Sequence, residues 1–433
     1  MKINKYFNWL AFVTLVMSST AFTSCVDEPD KFELSGGTPE IKYIRVADAA
    51  SGDSLIEAGY MESTICIVGN NLKSIKEMYF NDKKAVLNTS YVTDHTIFVD
   101  IPSSIPELVS NKIFMVNKDN DTTSYAFHVI VPTPTVSSMR CEYAAPGDTV
   151  TVKGDYFIND AKVPLKITMN GGSLPVTDIK NISKTALTFT IPEGAKSGYM
   201  NVTTIYGTSR SKFQYKDPRN ILFDWDGSHG GHAIAHGWRD GSKVIKKDNT
   251  GIDGAYIEFS GSMAGGIGTT WDEDDFSFNY WPEPSKGYEE LSSRTEFADM
   301  LKKYDVSKLQ IKFEARIPST NPWKASALQM IFSSNNAVTY STGSNGYFSN
   351  TAIPRGLWIP WQSSSSYDTA GSWITVTIPL SSFNKTHAGA TCANALSIED
   401  FTGLTFFVWN GGIAGTDCTP KIDIDNIRVV PIE

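Results

Sequence analysis

Two tryptophans three residues apart, Trp358 and Trp361, stand in Leu357-Trp358-Ile359-Pro360-Trp361-Gln362, where Pro360 interrupts a strand-like run and Arg355, Gln362 and several serines surround the rings. Flat rings in a polar loop suit one kind of recognition. The axial C–H groups of a pyranose form a weakly positive apolar face that packs on the negative face of an indole. The sugar hydroxyls then need Asn, Gln, Asp or backbone partners, because desolvated polar groups without partners are costly. Trp323, after a proline in Asn321-Pro322-Trp323-Lys324, has the same setting. Trp271 and Trp281, in Thr270-Trp271-Asp272-Glu273 and Asn279-Tyr280-Trp281-Pro282, come next. Trp225, Trp373 and Trp409 lie within or beside strand patterns and are expected in the core, while Trp238 fits either role.

Other chemistry is thinly represented. The chain has no His-Glu-x-x-His, no Gly-x-Ser-x-Gly and no phosphate loop. Asp272, Asp274, Glu289 and Glu290 could supply a glycosidase pair only if two carboxylates faced each other across a cleft, and a solvated acidic loop is the expectation. His229, His232 and His236 fall within eight residues, but the glycine-rich setting and the lack of a further ligand point to a polar loop rather than a metal site. Asp423 and Asp425, near the C-terminus, read as strand-edge acids. No cofactor and no metal is expected.

The chain has 433 residues, of which 41% are hydrophobic and 20% charged, enough for two or three domains. Net charge is −9; the first 24 residues hold Lys2 and Lys5 and no acids, so their removal leaves −11. That balance argues against nucleic-acid binding through phosphate neutralisation. Of ten tryptophans, nine lie beyond residue 224. The aromatic work is therefore done at the C-terminal end.

Two stretches repeat at a spacing of 85 to 90 residues. Thr64-Ile65-Cys66-Ile67-Val68-Gly69-Asn70 answers to Thr149-Val150-Thr151-Val152-Lys153-Gly154-Asp155, and Thr96-Ile97-Phe98-Val99-Asp100-Ile101-Pro102 to Ala186-Leu187-Thr188-Phe189-Thr190-Ile191-Pro192. Short β-branched and aromatic runs bounded by Gly, Asn, Asp and Pro predict strands and turns throughout, and the period suits tandem small sandwiches. The proline entry, the Gly147–Phe157 pattern and the Ile-Pro strand end resemble the immunoglobulin-like IPT/TIG family. That resemblance covers residues 39 to 216. It implies two spacer modules, whose joints Pro132, Pro134 and Pro218 should stiffen.

The N-terminus carries Lys2 and Lys5, an apolar run from Trp9 to Met17, and Phe22-Thr23-Ser24-Cys25. The first 24 residues read as a secretory leader, and Phe22-Thr23-Ser24-Cys25 resembles a bacterial lipobox, which implies lipidation of Cys25. Val26-Asp27-Glu28-Pro29-Asp30 resembles the export tether of surface lipoproteins in the Bacteroidota. Several acyl chains would anchor the protein stably, and no other apolar run approaches the length of a membrane span. Outside the cytoplasm, Cys392 and Cys418 could form a disulfide, whereas Cys66 suits a buried apolar position.

From Asn220 onward the composition shifts to Trp, Tyr, Gly and Ser. Apolar runs from Lys308, Trp373, Leu404 and Ile422 predict strands, a segment from Ser293 to Lys303 predicts a helix, and the region predicts a jelly-roll-like β-sandwich. The leader, the IPT-like modules and the closing motifs W-x-P-W, G-x-W-I-T-V-T-I-P-L and I-D-I-D-N-I-R-V together resemble the surface glycan-binding proteins of Bacteroidota polysaccharide-utilisation systems. The fold expected is all-β: leader 1–24, acidic tether 25–38, IPT/TIG-like domains 39–131 and 132–216, and a glycan-binding sandwich 217–433. The resemblance implies a non-catalytic, lipid-anchored outer-membrane protein. It would bind a neutral β-glucan such as xyloglucan or mixed-linkage glucan, or β-mannan, through a platform of Trp323, Trp358 and Trp361. Its partners would be an outer-membrane importer and a companion surface binding protein. In jelly-roll binding modules of this kind, acids such as Asp423 and Asp425 can hold a structural calcium. A secreted glycoside hydrolase or lyase and a protein-binding adhesin are the alternatives.

Overall fold

The computed structural model describes residues 32–226, 245–268, 276–334, 347–409 and 411–433. The chain is almost entirely β-structure and divides into two compact units, one ending at Val131 and one running from Pro132 to Glu433.

The first unit is a small sandwich. Strands Glu40–Val46, Thr64–Asn70 and Thr96–Asp100 form one sheet, and Lys83–Lys84, Ile75–Phe80, Lys112–Asn117 and Thr122–Ala126 form the other. Alternate residues are buried, Ile65, Ile67, Ile97 and Val99 from the first sheet and Met78, Phe80, Ile113 and Met115 from the second. Cys66 is buried as its apolar run predicts, and burial raises its thiol pKa.

The second unit opens with a related domain whose repeat segments fold alike. Thr64 pairs with Asp100 in the first domain, and the equivalent Thr149 pairs with Thr190 in the second. Gly69 and Gly154 occupy the same place in each: a β-carbon there would collide with the carbonyl oxygen of Glu40 or Thr135 on the entering strand. Both entering strands shift register at that point. The duplicated glycine therefore has one steric cause, used twice.

The remainder is a larger sandwich. Its first sheet orders Ile245–Lys246, Tyr256–Ser260, Lys421–Pro431, Leu309–Arg316 and Ile374–Pro379, with Ile221–Phe223 also on Lys421–Pro431. The second orders Ser277–Tyr280, Gly403–Trp409, Ala327–Ser333 and Gly356–Trp358. Phe313, Ile424 and Ile427 from the first sheet meet Met330, Phe332 and Phe406 from the second in the core. The predicted helix is Thr295–Lys303, with Phe297 buried and Met300 and Leu301 packed on that core.

The first sheet has a second buried face, which docks on the second immunoglobulin-like domain. Lys312 and Glu314, two residues apart on one strand, point away from the core beside Arg428 of the neighbouring strand. Lys312 Nζ donates to Glu142 of the immunoglobulin-like domain at 2.6 Å, and Arg428 Nη2 donates to the other Glu142 oxygen at 2.9 Å. Arg428 also grips Glu314 with two bonds of 2.8 and 3.1 Å, and Thr375 donates to Glu314 at 2.9 Å. Arg428 lies 4.9 Å from the centre of the Tyr143 ring. Two cations and two anions thus neutralise one another out of water. Beside them Trp373, expected in the sandwich core, packs instead against the core of the immunoglobulin-like domain, and its indole N–H donates to the Thr250 carbonyl at 2.9 Å.

Asp423 and Asp425 are not at a strand edge, because Lys421–Pro431 lies between two neighbours in the sheet. Asp423 is buried against Arg316 at 2.7 Å. Asp425 is buried beside Asp253, and Asn426 donates to both Asp253 oxygens at 3.2 Å. Burial pushes the Asp425 carboxyl well above the usual carboxylate range, and the neighbouring Asp253 charge adds to it. Burial raises Asp253 as well.

Two outcomes follow from this packing. Arg428→Ala strands Glu142 and Glu314 without their shared cation and is expected to cost about 3–5 kcal/mol in urea unfolding of the C-terminal unit; a loss under about 1 kcal/mol would contradict the network's role. The folded state also keeps a proton on the Asp253–Asp425 pair that the unfolded chain releases near pH ~4. This pair's contribution to stability therefore falls as pH rises above that value. Asp425→Asn should gain on the wild type between about pH 5 and pH 8 by about 1 kcal/mol or more, and a difference that does not change with pH would exclude the shared proton.

Candidate glycan-binding site

The immunoglobulin-like domain docks on the first sheet's outer face, and the second sheet with its edge offers a separate surface. There the edge strand Gly356–Trp358 and the turn after it form one wall of a groove of about 450 Å³. Leu357, Ile359 and Ile413 give it apolar surface, and Gln362, Ser382 and Lys385 supply polar groups. The segment singled out by its indoles thus reaches the groove through Leu357, Ile359 and Gln362 rather than through the indoles.

The pleat explains why. Trp358 pairs with Leu328 and points inward, edge-on to Phe313, Trp323 and Tyr367 at 5.6, 5.4 and 6.1 Å, while Leu357 points outward. The Trp358 ring is half-buried. Trp361 is only 5% exposed, its indole N–H donating to the Ser326 carbonyl at 2.8 Å. Trp323 is fully buried and bonds the Ala325 carbonyl. Trp281 is 4% exposed, packed with Ile331, Phe348 and Phe407 on the outer side of the second sheet. These three indoles present no face to a sugar in this structure and serve packing instead. Trp271, Trp238, the three clustered histidines, Asp272, Asp274 and Cys25 lie outside the described residues.

A further aromatic surface emerges at the end of the strand Gly403–Trp409. Val408 enters the main core, so Trp409, expected in the core too, lies on the outer side of the sheet, half-buried against the smaller cluster of Trp281, Ile331, Phe348 and Phe407. It lies 5.9 Å from Phe407 and 5.2 Å from His387, both tilted by about 30°. Gly411 packs on its ring and Gly412 against Ala388, which lines the groove. Burial and the Arg355 charge lower the pKa of His387. In the sequence, Leu404-Thr405-Phe406-Phe407-Val408-Trp409 is too apolar for alternation to reveal which residues face outward. The glycine pair after it was the usable signal.

Arg355 is fully buried and ties down the segment from Phe348 to Ile353, donating to Gln329 Oε1 and the Phe348 carbonyl, each at 2.7 Å. Burial lowers its pKa to about 10, which leaves it charged at neutral pH. Glu289 and Glu290 sit on a surface turn, and the groove's described lining includes no carboxylate. Among the described residues no group of three His, Cys, Asp or Glu side chains is placed to hold a metal ion. Cys392 and Cys418 are separate thiols, the former donating to the Thr351 carbonyl at 3.3 Å.

An immunoglobulin-like domain docked on a larger β-sandwich with a groove of mixed apolar and polar lining defines a multidomain β-sandwich protein. Residues 133–218 match the IPT/TIG domain, and residues 215–431 match the surface glycan-binding protein B xyloglucan binding domain. The chain is 38% identical to the crystallised surface glycan-binding protein PbSGBP-B from Prevotella bryantii, with a TM-score of 0.81 over 92% of this chain and 100% of that one. An IPT/TIG domain-containing protein from Bacteroides ovatus is 27% identical over 239 residues, 51% of this chain and 47% of that protein. The chain therefore spans about half the length of this curated relative. The protein belongs to the surface glycan-binding protein B family. Among the described residues no helix is long and apolar enough to cross a membrane.

The corrected placement of the indoles is tested by Trp323→Ala. Removal of this fully buried ring should cost about 3–5 kcal/mol in chemical unfolding. A variant that keeps wild-type stability and loses only ligand binding would return Trp323 to the platform.

Proposed function

We propose that the protein captures a neutral plant polysaccharide at the cell surface without cleaving it. The ligand is a β-glucan, xyloglucan or mixed-linkage glucan first and β-mannan second. The single observation behind this reading is the groove, with Leu357, Ile359 and Ile413 to meet sugar C–H faces, Gln362, Ser382 and Lys385 to meet hydroxyls, the half-buried Trp358 behind its wall and the half-buried Trp409 beside it. A glycosidase needs two opposed carboxylates at its cleavage point, and the groove's described lining offers none. Membership of the surface glycan-binding protein B family agrees with the ligand class.

In the same reading Cys25 carries the lipid that anchors the chain to the outer membrane, and the immunoglobulin-like domains hold the sandwich away from it. The captured glycan passes to an outer-membrane importer working beside a companion surface binding protein. No catalytic step is required of this chain.

The test is native affinity electrophoresis of the chain after Cys25 in gels containing xyloglucan, mixed-linkage glucan or β-mannan. Retardation by one of them should weaken about tenfold or more in Trp409→Ala and Trp358→Ala, a loss of about 1.4 kcal/mol. Release of reducing ends from polymer would replace this reading with a hydrolase, and no retardation in any gel would move it to a protein-binding adhesin.

A further inference from the structure

A net charge of −9 argues against a basic binding surface, yet the structure gathers cations in one place apart from the groove. A cleft of about 710 Å³ lies between the second immunoglobulin-like domain and the first sheet of the sandwich. Arg140, Lys153 and Lys212 line it from one side, and Tyr367, Thr375 and Thr377 from the other. Lys153 and Lys212 come from strands on either side of Thr135–Met139, so they flank its Ser137 and Ser138, which also line the cleft.

The charge balance within the cleft is uneven. At its floor Lys312 is consumed by Glu142, which Arg428 also holds. Glu433 is taken up by Arg219 at 3.1 Å and Arg210 at 3.4 Å. Asp368 accepts from the Ser319 hydroxyl and the Ala370 N–H, each at 2.8 Å. The side chains of Lys153 and Lys212 have no hydrogen-bond or ion-pair partner among the described residues, and Arg140 reaches only the Thr369 carbonyl, at 3.4 Å. Among the side chains that line the cleft, three cations thus face one remaining carboxylate, Asp368.

The walls are held in place by the docking contacts. The Thr375 N–H donates to the Arg140 carbonyl at 2.8 Å, and the Glu142 N–H donates to the Thr375 hydroxyl at 2.7 Å. Tyr367, half-buried and backed edge-on by Trp358, adds an aromatic wall among the hydroxyls of Thr151 and Thr377. Hydroxyls, one aromatic ring and an excess of cations together suit a sugar that carries a carboxylate.

We infer that this cleft is a second carbohydrate subsite, selective for a uronate unit. The inference takes from the proposed function only that the ligand is a glycan. The cleft and the groove are lined by different residues, so the chain reads an acidic sugar at one site and a neutral backbone at the other.

The test is calorimetry on the chain after Cys25, with an oligogalacturonate, a neutral cello-oligosaccharide and polyglutamate as separate probes. The variants are Lys153→Glu/Lys212→Glu and Trp409→Ala. Both lysines are exposed, so the double variant should keep the wild-type thermal midpoint. Oligogalacturonate binding should fall at least about tenfold in the double variant and similarly between about 50 and 500 mM NaCl, with neutral binding unchanged. Trp409→Ala should do the reverse. Absence of oligogalacturonate binding at low salt, or equal binding by the double variant, overturns the subsite. Polyglutamate binding as tight as oligogalacturonate binding also overturns it, because the cleft would then select charge alone. Loss of neutral binding in the wild type, with oligogalacturonate still bound, would sink the neutral-glycan reading and leave the cleft standing.

Discussion

The arrangement of the C-terminal unit depends on four charges buried where the sandwich meets the immunoglobulin-like domain: Glu142, Lys312, Glu314 and Arg428. A sheet face bearing Gln310, Lys312, Glu314, Asn426 and Arg428 would ordinarily face water. Here it is covered, and each charge finds a partner within 2.6 to 3.1 Å. Such a network contributes little net free energy over a well-packed apolar face, but losing one member leaves a charge in a place that cannot solvate it. Its main effect is to admit one docking geometry, since a displaced domain would leave the same charges dry and unpaired.

That docking decides where ligands can go. The docked domain covers much of the first sheet's outer face and leaves the second sheet and its edge free of that contact. The groove lies there, with an apolar wall made by residues that alternate with the core-facing indoles. The same docking closes the back of the interdomain cleft and brings Lys153 and Lys212 opposite Tyr367. One rigid interface therefore shapes both surfaces.

Much of the fold was legible because local pattern and global structure agree. The matched repeats became strands paired in the same register, with Gly69 and Gly154 under the same steric constraint. The apolar runs of the last domain became strands, and the segment with Phe297, Met300 and Leu301 became a helix. Composition also placed the aromatic region correctly within the chain. The site was less legible, because a polar neighbourhood in sequence does not make a ring exposed. Trp323 and Trp361 lie among polar residues yet bury their rings and satisfy their N–H groups on nearby carbonyls. Trp409 lies in an apolar run yet emerges, because successive strand residues face opposite ways. Trp373 and the acids of the last strand depended on long-range contacts that no local pattern encodes. The cleft was hidden by averaging, since a net negative chain can still hold a local excess of cations.

The most direct test of the groove as the glycan site is hydrogen–deuterium exchange of the chain after Cys25, with and without a neutral β-glucan oligosaccharide at saturation. Protection is predicted in peptides covering residues 356–362, 382–391 and 409–413. Protection confined to residues 32–131 or 132–216, with those segments unchanged, would contradict it.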